Sequence, residues 1–177
     1  MSELVHLGVG AGAATFKAVA LASLLAREGF EVRVVMSQDA RAFVAPLSFV
    51  AVTGNAVVES SLSVDPDGTG SHLKSAAASA FVLVPATANL IARVAHGFGS
   101  DAVSLAALSA PEPRFFCPAM NDRMWQNPLV QENVVRLEKV GWKRIGPEFG
   151  RLAEGYEGQG RMSEPEAILA VLLESLR

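Results

Sequence analysis

The chain has 177 residues, half of which are apolar, and a formal net charge of -3 at pH 7. This composition predicts one domain with an ample core, and the absence of a basic stripe argues against a nucleic-acid partner. One cysteine, Cys117, excludes an internal disulfide and a cysteine-based metal cluster. No metal site is expected, because His6 and His96 also lack a ligand partner at a useful spacing. Because the apolar runs are too short to span a bilayer and the start lacks the basic region of a signal peptide, we expect a cytoplasmic protein without a membrane partner.

The first half of the chain alternates between strand and helix patterns. The predicted elements are a strand over Leu4–Val9, a helix over 14–27 that Gly29 ends, a strand over 32–36, and a short helix over 38–44 that ends before Pro46. Residues 51–64 are ambiguous, with a turn at 53–55. A polar loop over 65–70 precedes a small Ala-rich helix that we expect Ser71 to cap.

The second half continues this alternation. We predict strands over 81–84, 114–117 and 142–145, and helices from about 88 to 95, over 102–108, over 128–140 and over Pro165–Leu176. Residues 146–162 contain five Gly, one Pro and few apolar side chains, which is typical of a mobile flap that closes over a substrate.

The strands are apolar along most of their length and are separated by helices. Such strands are buried on both faces and need right-handed crossovers, so the sheet should be parallel and doubly wound. The predicted fold class is therefore α/β, a single Rossmann- or flavodoxin-like domain over residues 1–177. Ligands of such sheets bind at the carboxyl ends of the strands.

The segment over 118–125, PAMNDRMW, follows an apolar strand directly. It therefore places an amide side chain, Asn121, at a strand's carboxyl end, between two Met residues and beside Trp125. Soft apolar walls around a directed hydrogen-bonding group suit a flat organic ligand. Asn121 is equally able to be the N-cap of the helix that follows, and one residue can fill both roles.

The glycine-rich loop over 8–12 suits a phosphate, because small residues let backbone N–H groups approach an anion at a helix N-terminus. It departs from the dinucleotide fingerprint, since Ala13 stands at the third glycine position and the second strand ends in Met36 and Ser37 without an acidic residue. A mononucleotide phosphate is therefore favoured over a dinucleotide, although a Gly-rich turn can also be a simple strand–helix connection.

Across nearly its whole length the chain resembles the flavin-containing cysteine decarboxylases, which include phosphopantothenoylcysteine decarboxylase and the enzymes that decarboxylate C-terminal cysteines of lanthipeptide precursors. The resemblance is carried by residues 8–18, by Gly70-Ser71-His72-Leu73, by residues 85–89 with 95–97, and by the octapeptide over 118–125. Residues 158–162 resemble the end of the family's substrate-recognition clamp. The resemblance implies FMN at a subunit interface in a homotrimer, or in a dodecamer of trimers.

The resemblance also implies roles for individual residues. His72 matches the essential histidine, whose near-neutral unperturbed pKa suits proton handling, and Asn121 matches the amide that binds the substrate carboxylate. Residues expected at FMN are Gly10, Gly12, Ser37, Phe43, Ala86, Thr87, Asn89 and Ser104. Residues expected at the substrate are Ala119, Met120, Asn121, Glu154 and Met162. Ser37, Thr87, Asn89 and Ser104 are also competent helix caps, and Phe43 suits a core position as well as a flavin wall.

Two departures bear on the reaction. Gly12 stands where the family commonly has Ser, and the clamp has Ala153-Glu154-Gly155 where phosphopantothenoylcysteine decarboxylases have a Cys before a Gly. That Cys supplies the proton that completes a saturated product, so its absence favours oxidative decarboxylation of a C-terminal peptidyl cysteine to an aminoenethiol. The alternatives are the phosphopantothenoylcysteine decarboxylase of coenzyme A biosynthesis and, from another class, a flavin-binding regulatory subunit.

Overall fold

The computed structural model describes residues 3–176. Its centre is a sheet of six parallel strands in the order β3-β2-β1-β4-β5-β6. The strands are β1 (Leu4–Val9), β2 (Glu31–Met36), β3 (Val57–Val58), β4 (Ala80–Ala86), β5 (Arg114–Pro118) and β6 (Trp142–Arg144). Central β4 is buried at every position, as expected of a strand covered on both faces. The predicted doubly wound α/β fold is confirmed.

Helices cover both faces of the sheet, and each face has its own core. One face carries α1 (Thr15–Arg27), α2 (Pro46–Thr53) and α7 (Pro165–Leu176). The other carries α3 (Ala88–Ala95), α4 (Ala102–Ser109) and α6 (Pro128–Lys139). Side chains alternate between the two cores along β1, as the period of a strand requires: Val5, Leu7 and Val9 face α1. Among the described residues, none of the helices is long and apolar enough to cross a membrane.

Two local predictions are wrong in detail, and the structure resolves one ambiguous stretch. Residues 38–42 form a 3-10 helix, and Pro46 begins the separate helix α2 because its fixed φ and missing N–H suit the first helical position. Residues 71–77 also form a 3-10 helix, in which Ser71 is the first residue and makes no capping hydrogen bond. The ambiguous stretch after Thr53 contains β3, which pairs with β2 over two residues.

The segment expected to be a flap contains a β-hairpin. Strands β7 (Glu148–Arg151) and β8 (Glu157–Arg161) pair antiparallel and form a second, two-stranded sheet. The glycines that suggested a mobile flap allow close packing of this hairpin. A Cβ on Gly160 would lie 2.2 Å from the carbonyl oxygen of Met120, so β8 lies directly against the residues that follow β5.

Candidate functional site

A cavity of about 770 Å³ opens where the carboxyl ends of β1, β4 and β5 meet the hairpin. At this edge β1 leads to α1 on one face and β4 leads to α3 on the other, so the chain diverges and leaves a crevice. Seven predicted site residues line the cavity, namely Gly12, Thr87, Ala119, Met120, Asn121, Glu154 and Met162. The tertiary structure therefore brings together residues from four separate segments of the chain.

The glycine loop forms one wall of the cavity. The Thr15 hydroxyl accepts a hydrogen bond from the Gly12 N–H at 3.1 Å and lies 2.7 Å from the Gly12 carbonyl oxygen and 3.0 Å from that of Gly10. Gly10 is beneath the wall, where an added Cβ would lie 2.4 Å from the Pro85 carbonyl oxygen. Gly10 is thus required for the close approach of the loop to β4, whereas Gly12 faces the cavity.

Two hydroxyl side chains flank this loop. Thr87 is the N-cap of α3, and its oxygen accepts from the Leu90 N–H at 3.3 Å, which leaves its own proton free to bond a ligand. Ser37 follows β2, and its backbone N–H donates to the Val9 carbonyl. The Ser37 hydroxyl is buried and has no hydrogen-bond partner among the described residues, which suits a polar group of a bound ligand.

Asn121 lies on the opposite wall of the cavity, and its side chain makes two hydrogen bonds. Its side-chain oxygen accepts from the Arg123 N–H at 2.9 Å, so it is the N-cap of the short helix α5 (Asp122–Trp125). Its amide nitrogen donates to the Tyr156 hydroxyl at 2.8 Å, and that hydroxyl donates to the Asp122 carboxylate at 2.6 Å. The hydrogen bond to Asp122 raises the pKa of Tyr156 above its ordinary value. The amide has a second N–H, which is available to a ligand.

The hairpin turn forms the rim. Leu152 donates its N–H to the Tyr156 carbonyl at 2.8 Å, and Gly155 donates to the Leu152 carbonyl at 3.0 Å, which defines a compact turn. Ala153 and Glu154 lie on this turn and line the cavity. Glu154 occupies the position at which the resemblance leads one to expect a cysteine. This chain therefore has a carboxyl group on the cavity lining at that position.

Charged groups at the cavity are mostly paired. Lys17 Nζ lies 2.9 Å from Glu164 Oε1 and donates to the Met162 carbonyl at 3.2 Å. Arg161 pairs with Glu148 at 2.9 Å and with Glu164 at 3.2 Å. Arg151 lies at the rim and is exposed.

Seven predicted residues are outside the cavity lining: His72, Gly10, Ser37, Phe43, Ala86, Asn89 and Ser104. Ala86 is fully buried, and its carbonyl accepts from the Ala119 N–H. Ser104 is buried in the capping box of α4, where its hydroxyl bonds Asp101 at 2.7 Å. Asn89 is exposed in the first turn of α3. Phe43 is 54% exposed, so it is not a core residue.

His72 and Asn121 are not brought together within one chain. His72 lies at the start of the 3-10 helix that precedes β4, and its carbonyl accepts from the Ser109 hydroxyl at the end of α4. Its Nδ1 is buried and has no partner among the described residues. Cys117 also lies apart from the cavity: it is fully buried in β5, and burial raises the pKa of its thiol, as expected for a core residue.

The sequence-based prediction missed Thr15, Tyr156 and Arg151. Thr15 was identifiable because its hydroxyl lies three residues after Gly12. At this spacing a hydroxyl can hydrogen-bond the backbone at the start of a turn. Tyr156 had one signal, since it is the single tyrosine of the chain. Its contact with Asn121, 35 residues away, depends on the hairpin and has no local signature. Within residues 3–176 there is no cluster of three His, Cys, Asp or Glu side chains that could hold a metal.

Comparisons with known proteins identify a family and several relatives that are similar to this chain. A family model described as Flavoprotein matches residues 2–177. The chain is 35% identical, over 99% of its length and 100% of the relative's, to a probable phosphopantothenoylcysteine decarboxylase of Streptococcus mutans. It is 39% identical over 95% of its length to the coenzyme A biosynthesis bifunctional protein CoaBC of Haemophilus influenzae, of which it spans 42%.

Solved structures of cysteine decarboxylases have a similar fold. A PPC decarboxylase mutant complexed with pantothenoylaminoethenethiol superposes with a TM-score of 0.86 at 26% identity, covering 99% of this chain and 98% of the other. The FMN-dependent cysteine decarboxylase SpaF superposes with a TM-score of 0.81 at 30% identity, covering 99% and 97%.

Proposed function

The chain belongs to the Flavoprotein family, and from that premise we propose that it is an FMN-dependent decarboxylase whose substrate is phosphopantothenoylcysteine. The relatives support this alternative better than our first expectation of a peptidyl cysteine, because the curated matches are phosphopantothenoylcysteine decarboxylases and CoaBC proteins. SpaF supports cysteine decarboxylation as the general reaction type. The observation on which the proposal rests most is the amide of Asn121, which faces the cavity with one N–H free.

The residues on the glycine-loop side fit FMN. Gly12 and the Thr87 hydroxyl would hold its phosphate, because small residues and a free hydroxyl proton are what a phosphate oxygen needs. The buried, unpartnered Ser37 hydroxyl would bond a polar flavin atom. Phe16 is 62% exposed at the cavity and gives it an apolar surface suited to a flat ring system.

The chemistry that FMN supplies when bound is acceptance of a hydride from the substrate carbon that bears sulfur, which makes the neighbouring carboxylate easy to lose. Asn121 orients that carboxylate through its free N–H. A neutral donor binds the anion without the strong ion pair that would stabilise the ground state. The hairpin forms one side of the cavity, so it would shield part of a bound substrate from water. With Glu154 at the position of the absent cysteine, the site has no thiol to donate a proton. The product would therefore be the enethiol, and the two electrons removed from the substrate would pass to an external acceptor such as dioxygen.

His72 handles a proton in the site of another copy of the chain, and we propose a homotrimer, or a dodecamer of trimers, for this reason. Within one chain His72 lies apart from the cavity. Leu73 beside it and Leu108 at the nearby end of α4 are each 50% exposed, which is typical of a surface that another chain covers. His72 is only partly buried within one chain, so part of its ring is accessible to a neighbouring copy.

Mass spectrometry of the product tests the reaction. We expect phosphopantothenoylcysteine to lose carbon dioxide and two hydrogens, in about one turnover per flavin without oxygen, because the site has no thiol acid. Asn121→Asp keeps the oxygen that caps α5 but replaces the donor with an anion, so kcat/KM should fall at least about 100-fold while FMN stays bound. Loss of carbon dioxide alone would contradict the proposed product. Full activity of Asn121→Asp would contradict the role of the amide.

Mixing two inactive variants tests the shared site. His72→Asn and Asn121→Asp should each be inactive alone, and dissociating and reassembling them together should restore part of the activity, since some sites then combine an intact His72 with an intact Asn121. Each variant taken through the same procedure alone is the control. If the mixture stays inactive although light scattering and mass spectrometry show mixed oligomers, the two residues do not serve one site from different chains.

A further inference from the structure

We propose that Arg151 is a specificity residue that binds an anionic group of the substrate remote from the reacting carboxylate, and that this group is a phosphate monoester. The inference rests on the proposed function and names the part of the substrate that the hairpin recognises. Arg151 ends β7, and its exposed side chain lines the cavity where the hairpin turn begins.

The charge of Arg151 is not neutralised within the chain. The other two cations at the cavity, Lys17 and Arg161, have carboxylate partners at 2.9 Å. Within residues 3–176, no carboxylate oxygen lies within 4.0 Å of the Arg151 guanidinium. Its cross-strand neighbour is Glu157, but the two side chains form no ion pair at that distance. An exposed guanidinium without a partner, at the rim of a ligand cavity, is well suited to bidentate binding of a phosphate.

The hairpin holds Arg151 at the rim. A Cβ on Gly158 would lie 3.0 Å from Asp122 Cβ, and the Met120 N–H donates to the Gly160 carbonyl at 3.1 Å, so β8 packs directly on the start of α5. The Tyr156 hydroxyl bonds Asn121 and Asp122 from the same hairpin. The strand that carries Arg151 is therefore anchored to the segment that carries the carboxylate-binding amide, which fixes the two recognition groups relative to each other.

Glu154 provides a second test of the inference, in which the expected change in KM has the opposite sign. It lies three residues after Arg151 on the turn and lines the same cavity. A phosphate held by Arg151 would be repelled by this carboxylate. Removing the charge of Arg151 should therefore raise KM for a phosphorylated substrate, and removing the charge of Glu154 should lower it.

The experiment compares kcat/KM for phosphopantothenoylcysteine and for pantothenoylcysteine, which lacks the phosphate, measured as carbon dioxide release. We expect the wild type to favour the phosphorylated compound. Arg151→Gln should lose about 10- to 100-fold on that compound, mainly through KM, and change little on the other, because one charge-assisted interaction is removed. Glu154→Gln should lower KM for the phosphorylated compound. Arg27→Gln removes an exposed guanidinium at the far end of α1 and is the matched control.

The outcomes separate the two hypotheses. Equal use of both compounds by the wild type, or an equal loss on both in Arg151→Gln, overturns the inference and leaves the proposed decarboxylase function standing. If neither compound is decarboxylated by FMN-loaded protein, the proposed function is contradicted and the inference with it. A loss in Arg27→Gln as large as that in Arg151→Gln would attribute the effect to net charge and also overturn the inference.

Discussion

The single tyrosine of the chain connects the hairpin to the amide at the centre of the site. Tyr156 is exposed, so solvent competes for its hydroxyl, yet it bonds two side chains at 2.6 and 2.8 Å. The Asp122 carboxylate accepts the phenolic proton and stabilises the protonated form. This contact orients the Asn121 side chain, whose oxygen is already committed to capping α5.

We expect the pKa of Tyr156 to lie above its ordinary value of about 10 and to fall in Asp122→Asn, because the hydrogen bond to Asp122 is the main cause of the shift. With one tyrosine, the change in absorbance near 295 nm on alkaline titration of the flavin-free protein reports this group alone. Circular dichroism over the same pH range checks that the fold persists. An unchanged titration in Asp122→Asn would show that the bond to Asp122 is absent in solution.

At the scale of elements, the turn from β1 to α1 and the hairpin each use glycine for close approach. In the turn, the two glycines differ in what a side chain would meet. A Cβ on Gly10 would lie 2.4 Å from the backbone oxygen of Pro85 in β4, which cannot move aside without disturbing the central sheet. A Cβ on Gly12 would meet the Thr87 methyl at 3.7 Å, an ordinary contact.

Gly10→Ala should therefore destabilise the protein by about 1–3 kcal/mol and weaken FMN binding, since the carboxyl ends of β1 and β4 must separate. Gly12→Ala is the matched control, and it should change the free energy of unfolding by less than about 0.5 kcal/mol. Urea unfolding and fluorescence titration with FMN measure the two effects. Equal stabilities for the two variants would contradict the close approach of the loop to Pro85.

At the scale of the whole molecule, a buried histidine connects stability to pH. His6 lies in β1 at 1% exposure, with Nδ1 2.8 Å from the Ser75 hydroxyl and Nε2 without a partner among the described residues. Burial, with a smaller contribution from the charge of Arg33, lowers the pKa of His6 from 6.5 to about 4. The folded protein therefore stays unprotonated at His6 in a pH range where the unfolded chain binds a proton.

Because the folded-state pKa of His6 is depressed, its contribution to stability is complete above about pH 6.5 and is lost as the pH falls toward 4. The loss reaches about 3 kcal/mol at most. We expect the free energy of unfolding, measured by urea between pH 7.5 and 4.5, to fall less steeply with acid in His6→Leu than in the wild type. His96→Gln, at an exposed histidine, is the control for removing a histidine from the surface. A wild-type slope in His6→Leu would show that His6 is not a source of the acid sensitivity.

Local patterns in the sequence determined the parallel sheet, the positions of most helices, and the edge at which the site lies. The apolar run of β4 and the capping residue Asn121 are patterns among near neighbours in the sequence, so periodicity and spacing reveal them. The cap at Asn121, and the expectation that this residue binds a ligand, also followed from its place after β5. The residues expected on the cavity side of that segment, Ala119 and Met120, do line the cavity.

The tertiary structure alone decided which of the candidate side chains share a cavity. The glycines over 146–162 indicated a loop, but β7 and β8 pair as a hairpin. Gly158 and Gly160 permit close packing of β8 against residues 120–122, and Tyr156 of this hairpin bonds Asn121. The separation of His72 from the cavity likewise depends on contacts between its 3-10 helix and α4. Pairing and packing between segments far apart in sequence depend on shape complementarity and strand register, and local periodicity carries no information about either.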